Sequence, residues 1–288
     1  MTRPLSPAPI SPPVFDPTPD IRLIAADMDG TLLDDDDELH EHVWPLIDEL
    51  HRRGIVFCPA SGRQYDNLRA RFAEVAGSVV FIAENGAYVV RDGHEVSSDG
   101  LDLGVVGRLV ETARDLAAQG ADIGVVVCGK RAAHIERNDA PFREEVDKYY
   151  LSLEVVEDLT QVDDEVLKVA VYDFGSAEET TAPAFEAFRA TQQVVVSGRH
   201  WLDVMSPTAN KGEGIRALQR ALGVTPAQTM VFGDFLNDLE MMDAADYSFA
   251  MDNAHPRLRE RARYVAPSNA ENGVVRTISS VLGLTWST

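Results

Sequence analysis

The chain has 288 residues, 45% hydrophobic and 25% charged, the balance of a globular protein with core enough for one large or two ordinary domains. Its 26 basic and 47 acidic residues leave a net charge of −21, which repels phosphate backbones and argues against a nucleic-acid partner. No apolar run nears the roughly 18 residues of a membrane span. Cys58 and Cys128 lie far apart in apolar stretches with neither metal-type nor redox spacing, so both read as buried thiols of a reducing cytoplasm.

Residues 1–20 carry Pro4, Pro7, Pro9, Pro12, Pro13, Pro17 and Pro19. Proline removes backbone donors and breaks helices, so the segment is expected to be a mobile or polyproline-like tail, and it has no apolar signal-peptide centre. From Ile21 the pattern becomes regular. Residues 21–26 form a short apolar run that ends in a carboxylate and reads as a buried parallel strand. Val43, Ile47 and Leu50 recur at helical spacing, with Gly54 placed to stop that helix. Strands over 55–58 and 79–83 flank a helix over 64–74, the rhythm of βαβ units with right-handed crossovers. After Asn85-Gly86 the texture changes to a strand-rich block. It shows strands near 87–91, 123–128, 132–136, 167–173, 193–197 and 201–205, with helices near 103–119, 141–150 and 178–190. The first rhythm resumes at Lys211, with strands over 229–232 and 247–250 among four helices. The expectation is a doubly wound, mainly parallel α/β core over 21–86 and 207–288, interrupted by an inserted α/β domain over 87–206.

Four strand-end segments carry the chemistry. Asp27-Met28-Asp29-Gly30-Thr31 puts two carboxylates where open α/β sheets bind ligands. In one pocket they would need a cation or a shared proton, which suits Asp27 as a nucleophile toward phosphorus, Mg²⁺ as the neutralising ion and Asp29 as the proton carrier; the plainer alternative is a solvated turn that caps a helix. Gly233-Asp234-Phe235-Leu236-Asn237-Asp238 supplies a second acidic loop, with Asp234 as a metal ligand and Asp238 beside it or behind it, unless the loop merely caps the next helix. Pro59-Ala60-Ser61-Gly62-Arg63 offers a hydroxyl and backbone amides to phosphate oxygens, although an ordinary strand-to-helix turn would look similar. Lys211 opens a helix in a chain with only four lysines against twenty-two arginines, and its ammonium could reach both a phosphate and the nucleophilic carboxylate. The acidic run Asp34–Glu38 reads as a solvated face with one residue capping the next helix, and the Arg199-His200-Trp201 turn as a possible substrate contact.

In this order the four segments resemble the haloacid dehalogenase superfamily of phosphotransferases, and within it the Cof-type phosphatases of the type II subgroup, whose large α/β cap is inserted after the third strand. The resemblance covers nearly all of 21–282 and includes Glu84-Asn85-Gly86-Ala87, Leu239-Glu240-Met241-Met242, Ala250-Met251-Asp252-Asn253-Ala254 and Ala270-Glu271-Asn272-Gly273-Val274. It implies Asp27 as nucleophile and Mg²⁺ ligand, with Asp29 as general acid/base and carbonyl ligand. Asp234 becomes a metal ligand with Asp238 in support. Ser61, Gly62, Arg63, Asn85, Lys211 and Asn237 become substrate ligands. The implied enzyme is a cytoplasmic, Mg²⁺-dependent phosphatase of small phosphorylated metabolites, sugar phosphates first, with an aspartyl-phosphate intermediate and no membrane or obligate protein partner. A phosphomutase and a non-catalytic regulatory module are the alternatives.

Overall fold

The structure, a computed structural model, describes residues 10–284. In chain order its elements are β1 (Leu23–Asp27), α1 (Val43–Arg52), β2 (Val56–Ala60), α2 (Tyr65–Arg71), β3 (Val80–Ala83), β4 (Tyr88–Arg91), β5 (His94–Ser98), α3 (Leu103–Ala118), β6 (Ile123–Gly129), β7 (Ala133–Ile135) and α4 (Ala140–Val146). There follow β8 (Leu153–Val155), β9 (Val166–Asp173), the single turn α5 (Ala182–Ala184), β10 (Gln193–Val196), β11 (Trp201–Met205), α6 (Lys211–Leu222), β12 (Thr229–Gly233), α7 (Leu239–Met242), β13 (Tyr247–Met251), α8 (Pro256–Arg261), β14 (Tyr264–Ala266) and α9 (Gly273–Leu282). Internal contacts divide the chain into two units. The first takes the chain up to Ser61, Val75–Val80 and everything from Lys211; the second takes Gly62–Glu74 and Phe81–Asn210.

In the first unit the strands lie in the order β14-β13-β12-β1-β2, all parallel. Val79 adds the start of the next strand by bridging Phe57 in parallel. Every residue of β1 is buried, as a strand covered on both faces requires. The chain winds from β1 to β2 in one direction and returns through β12 to β13 in the other. The C-terminal ends of β1 and β12 therefore meet at a topological switch point, where open α/β sheets bind ligands. Helix α1 buries Val43, Leu46, Ile47 and Leu50, one stripe at helical spacing, and ends as Gly54 turns left-handed at φ +70° and donates its amide to His51 O.

The second unit is built on a six-stranded sheet in the order β10-β11-β9-β6-β7-β8, antiparallel except for β7 beside β8. Period-two alternation splits its side chains between two cores. Val127, Val169, Val171, Leu202 and Val204 pack with Leu109 and Val110 of α3. Val126, Cys128, Ala170 and Tyr172 pack with Phe142 and Val146 of α4. Strand β9, covered on both faces, is buried along its whole length. Asp102 starts α3 by accepting hydrogen bonds from the amides of Gly104 (2.8 Å) and Val105 (3.2 Å). β4 and β5 form a hairpin through Asp92-Gly93, both at positive φ, the geometry that a tight hairpin turn demands.

Several expectations need correction. The first nine residues of the expected tail lie outside the described residues, and within 10–20 Pro13 and Phe15 make contacts with the first unit. Phe15 sits edge-on to Tyr247 and Tyr264 with ring centroids 5.4 Å apart in each case, and Ser280 Oγ donates to Pro13 O at 3.0 Å. The expected helix 178–190 is broken into short turns around α5, because Pro183 cannot donate within a continuous helix. In the acidic run no residue caps α1, which begins after His42 without a side-chain cap; Asp34 instead closes its own loop by accepting from the amides of Asp36 (2.9 Å) and Glu38 (3.0 Å). The Arg199–Trp201 turn, read as a substrate contact, lies in the second unit and also packs there. Trp201 packs edge-on against Tyr149, Tyr150 and Tyr172, and His200 Nδ1 bonds Asp173 O at 2.8 Å.

Phe15→Ala is expected to lower unfolding stability by about 1–2 kcal/mol in urea titrations, since two edge-on aromatic pairs and part of a buried ring are lost. An unchanged midpoint would mean that the segment adds no packing.

Candidate active site

The site is assembled by strand register. Asp27, the last residue of β1, pairs with Ala60, the last of β2, so Ser61 follows at the same level of the sheet. On the other side of β1, Ala26 pairs with Phe232, which puts Asp234 just beyond the end of β12. Lys211 opens α6 and is fully buried.

The Lys211 ammonium bridges two carboxylates. It donates to Asp27 Oδ1 in a very short contact and to Asp238 Oδ1 at 2.7 Å. Asp238, also fully buried, uses its other oxygen to accept from the amides of Asp234 (3.0 Å) and Phe235 (3.3 Å), so it ties the loop to the lysine. Asp234 accepts from Thr31 Oγ1 at 3.1 Å, which links the two acidic loops across 203 residues of sequence. Asn253 Nδ2 donates to Gly30 O at 2.8 Å, and the Asp234 carbonyl accepts from His255 N at 2.7 Å. Gly30 stands at φ +76°, and a Cβ there would run into the Asp234 carboxylate, so the close approach of the loops requires glycine.

Charge is concentrated here. One oxygen from each of Asp27, Asp234 and Asp238 lies within 4.8 Å of the others, with the Lys211 cation bonded to two of them. Burial pushes the Asp27 carboxyl well above the usual carboxylate range; Lys211 opposes the shift, while Asp238, Asp234 and Asp29 add to it. Burial, then the charge of Asp238, push Asp234 up to about 6. Burial would discharge Lys211, but Asp238 and Asp27 outweigh it and raise its pKa. Hard carboxylate oxygens carrying uncompensated negative charge suit a hard divalent cation of the Mg²⁺ class.

Asp27, Lys211, Asp234 and Asp238 are thus brought together in space. The side chain of Asp27 caps no helix. Asp29 is exposed at the site and adds its charge to Asp27, Ser61 is buried, and Asn237 is half-buried in the β12–α7 loop. Gly62, Arg63 and Asn85 group by contacts with the second unit. There the buried Arg63 guanidinium lies over the Tyr149 ring at 5.9 Å, and a Cβ on Gly62 would come within 2.9 Å of the Asn85 amide nitrogen. Sequence reasoning gave Thr31 and Asn253 no role, although both fall within the quoted segments; nothing in their local spacing signals a partner more than 200 residues away.

The sequence pattern of the haloacid dehalogenase-like hydrolases matches residues 24–278. The 5-amino-6-(5-phospho-D-ribitylamino)uracil phosphatase YbjI of Escherichia coli (strain K12) is 33% identical over 91% of this chain and 96% of its own. The HMP-PP phosphatase of Cronobacter sakazakii is 28% identical over 82% of this chain and 86% of its own. Among solved structures, a haloacid dehalogenase-like hydrolase from Bacteroides thetaiotaomicron superposes with a TM-score of 0.80 at 22% identity, covering 91% of this chain and 99% of that one, a likeness of fold. Among the described residues no helix is long and apolar enough to cross a membrane. With its buried carboxylate-lysine cluster at the switch point of a mainly parallel sheet, the chain belongs to the haloacid dehalogenase-like hydrolases, as a phosphoric monoester hydrolase of small phosphorylated substrates.

Proposed function

We propose that the protein is a Mg²⁺-dependent phosphatase of small cytoplasmic metabolites, sugar phosphates first, acting through an aspartyl-phosphate on Asp27. The observation that carries this reading is the buried Asp27 carboxylate at the end of β1, held by Lys211 and facing Asp234 and Asp238. The substrate class rests on the relative with 33% identity, whose name places its phosphate on a ribityl chain. The cytoplasmic location rests on Cys58 and Cys128, both buried and with neither metal-type nor redox spacing.

In this reading an Asp27 oxygen attacks phosphorus while Asp29 gives its proton to the departing oxygen. Asp29 then takes a proton from the water that attacks the phosphoryl group, and inorganic phosphate leaves with Asp27 restored. Lys211 holds Asp27 in line and meets developing negative charge with its fixed ammonium. Ser61 donates its hydroxyl to a phosphate oxygen, helped by Gly62, Arg63, Asn85 and Asn237. Mg²⁺, held by Asp27, Asp29 and Asp234, would offset the carboxylate charge and polarise the phosphoryl oxygens. Asp238 supports that set, because both of its oxygens already serve Lys211 and the loop amides. The inserted segment 87–206 is read as the substrate-selecting cap, because the phosphate- and metal-handling segments lie outside it.

Asp27→Asn is expected to lower turnover of an aryl phosphate by on the order of a thousand-fold or more without loss of the folded spectrum, since an amide is a poor nucleophile. Activity within a few-fold of wild type would remove Asp27 from the nucleophile role. With a sugar phosphate the product should be free inorganic phosphate; an isomerised sugar phosphate would indicate a mutase.

Asp234→Ala should weaken Mg²⁺ binding, read by calorimetry or by Mg²⁺-titrated activity, about tenfold or more, and single alanine changes within Asp34–Glu38 less than about twofold. Equal losses at both places would bring the acidic run into the site.

A further inference from the structure

A second buried ion cluster lies inside the second unit. Lys168, on β9, donates from Nζ to the Gly62 carbonyl at 3.1 Å, pairs with Glu84 Oε2 at 2.7 Å and lies 3.8 Å from Asp203 Oδ2 on β11. The three side chains are 3%, 2% and 7% exposed. Burial would discharge the lysine, but Asp203 and Glu84 outweigh it and raise its pKa well above the usual value. A buried ion cluster is weak evidence of stabilisation, because its desolvation offsets much of the attraction between its charges, so what this one holds in place is the informative observation.

The cluster grips backbone. Glu84 meets Lys168 with its carboxylate, and its backbone amide donates to the Arg63 carbonyl at 3.1 Å. The carbonyls of both Gly62 and Arg63 are therefore held by the paired residues Lys168 and Glu84. Glu84 and Asn85 stand at φ +49° and +54°, two consecutive left-handed residues that a packed environment must impose. A trans peptide points its C=O and N–H in opposite directions, so anchoring the Gly62 carbonyl on Lys168 aims the Arg63 N–H away from the cluster.

We propose that Lys168, paired with Glu84, is a positioning residue for phosphate binding: it sets the peptide orientation of the Ser61-Gly62-Arg63 turn. This rests on the reading of that turn as the phosphate-binding segment. Lys168 does not touch the substrate; it acts through the backbone it holds.

The test is the inhibition constant of inorganic phosphate against an aryl phosphate, measured in the full chain for wild type, Ser61→Ala, Lys168→Arg and the charge-neutral pair Lys168→Met with Glu84→Gln. In variants whose circular dichroism and melting curve show a folded protein at the assay temperature, the pair is expected to weaken phosphate binding about tenfold, with Lys168→Arg falling between it and wild type. A merely structural role would lower the melting temperature and leave that constant within about twofold; this result overturns the proposal when Ser61→Ala does weaken phosphate binding. If Ser61→Ala has no effect either, the reading of the turn fails first and the role of Lys168 fails with it. Should the paired variant not fold, Lys168→Arg, which keeps the charge in place, decides by the same measurement.

Discussion

The first unit's chemistry depends on one buried ammonium. Lys211 has no exposed surface, and it survives charged there because two carboxylates share it. Removing it would leave Asp27 and Asp238 as uncompensated buried charges, which are costlier than any single surface ion pair. Asp238 in turn hands the constraint to the backbone, since its second oxygen accepts two loop amides. A single charge thus fixes the direction of Asp27, the course of the β12–α7 loop and, through that loop, the place of Asp234.

Close approach is the second constraint. The two acidic loops come from strands far apart in sequence, and their carboxylates converge only where the intervening backbone carries no side chain. Gly30 would strike Asp234 if it had a Cβ, Gly233 would strike Asp238, and Gly212 would strike the Glu240 backbone behind the lysine. These three glycines serve clearance, whereas Gly54 and Gly223 serve helix ends at positive φ. The crowding also explains why the Asp27 and Asp234 carboxyls are pushed above the usual carboxylate range: the packing that aligns them excludes the water that would otherwise screen them.

The second unit repeats the device in another setting. Its sheet is covered on both faces, so polar groups on β9 and β11 must find partners inside, and Lys168 with Asp203 and Glu84 does so. In both units a lysine near the start of an element collects carboxylates from other elements, a long flexible stem reaching what a rigid guanidinium fork would not.

The sequence by itself determined the strand–helix rhythm, the strand-end positions of Asp27, Ser61 and Asp234 and the helix start at Lys211, because apolar runs, helical stripes and punctuating glycines are local signals. It was silent on β5, β8 and β14, where short or half-exposed runs such as His94–Ser98 and Leu153–Val155 bury too little for a periodic pattern. It carried no sign of the packing of Phe15, one aromatic ring in a proline-dense segment whose two partners lie more than 230 residues away. The pairings that turn a motif into a site were decided only by the tertiary structure: Thr31 with Asp234, Asn253 with Gly30, and Lys211 between Asp27 and Asp238. Such contacts depend on strand order and on register at the switch point, which set distances that no local spacing along the chain encodes.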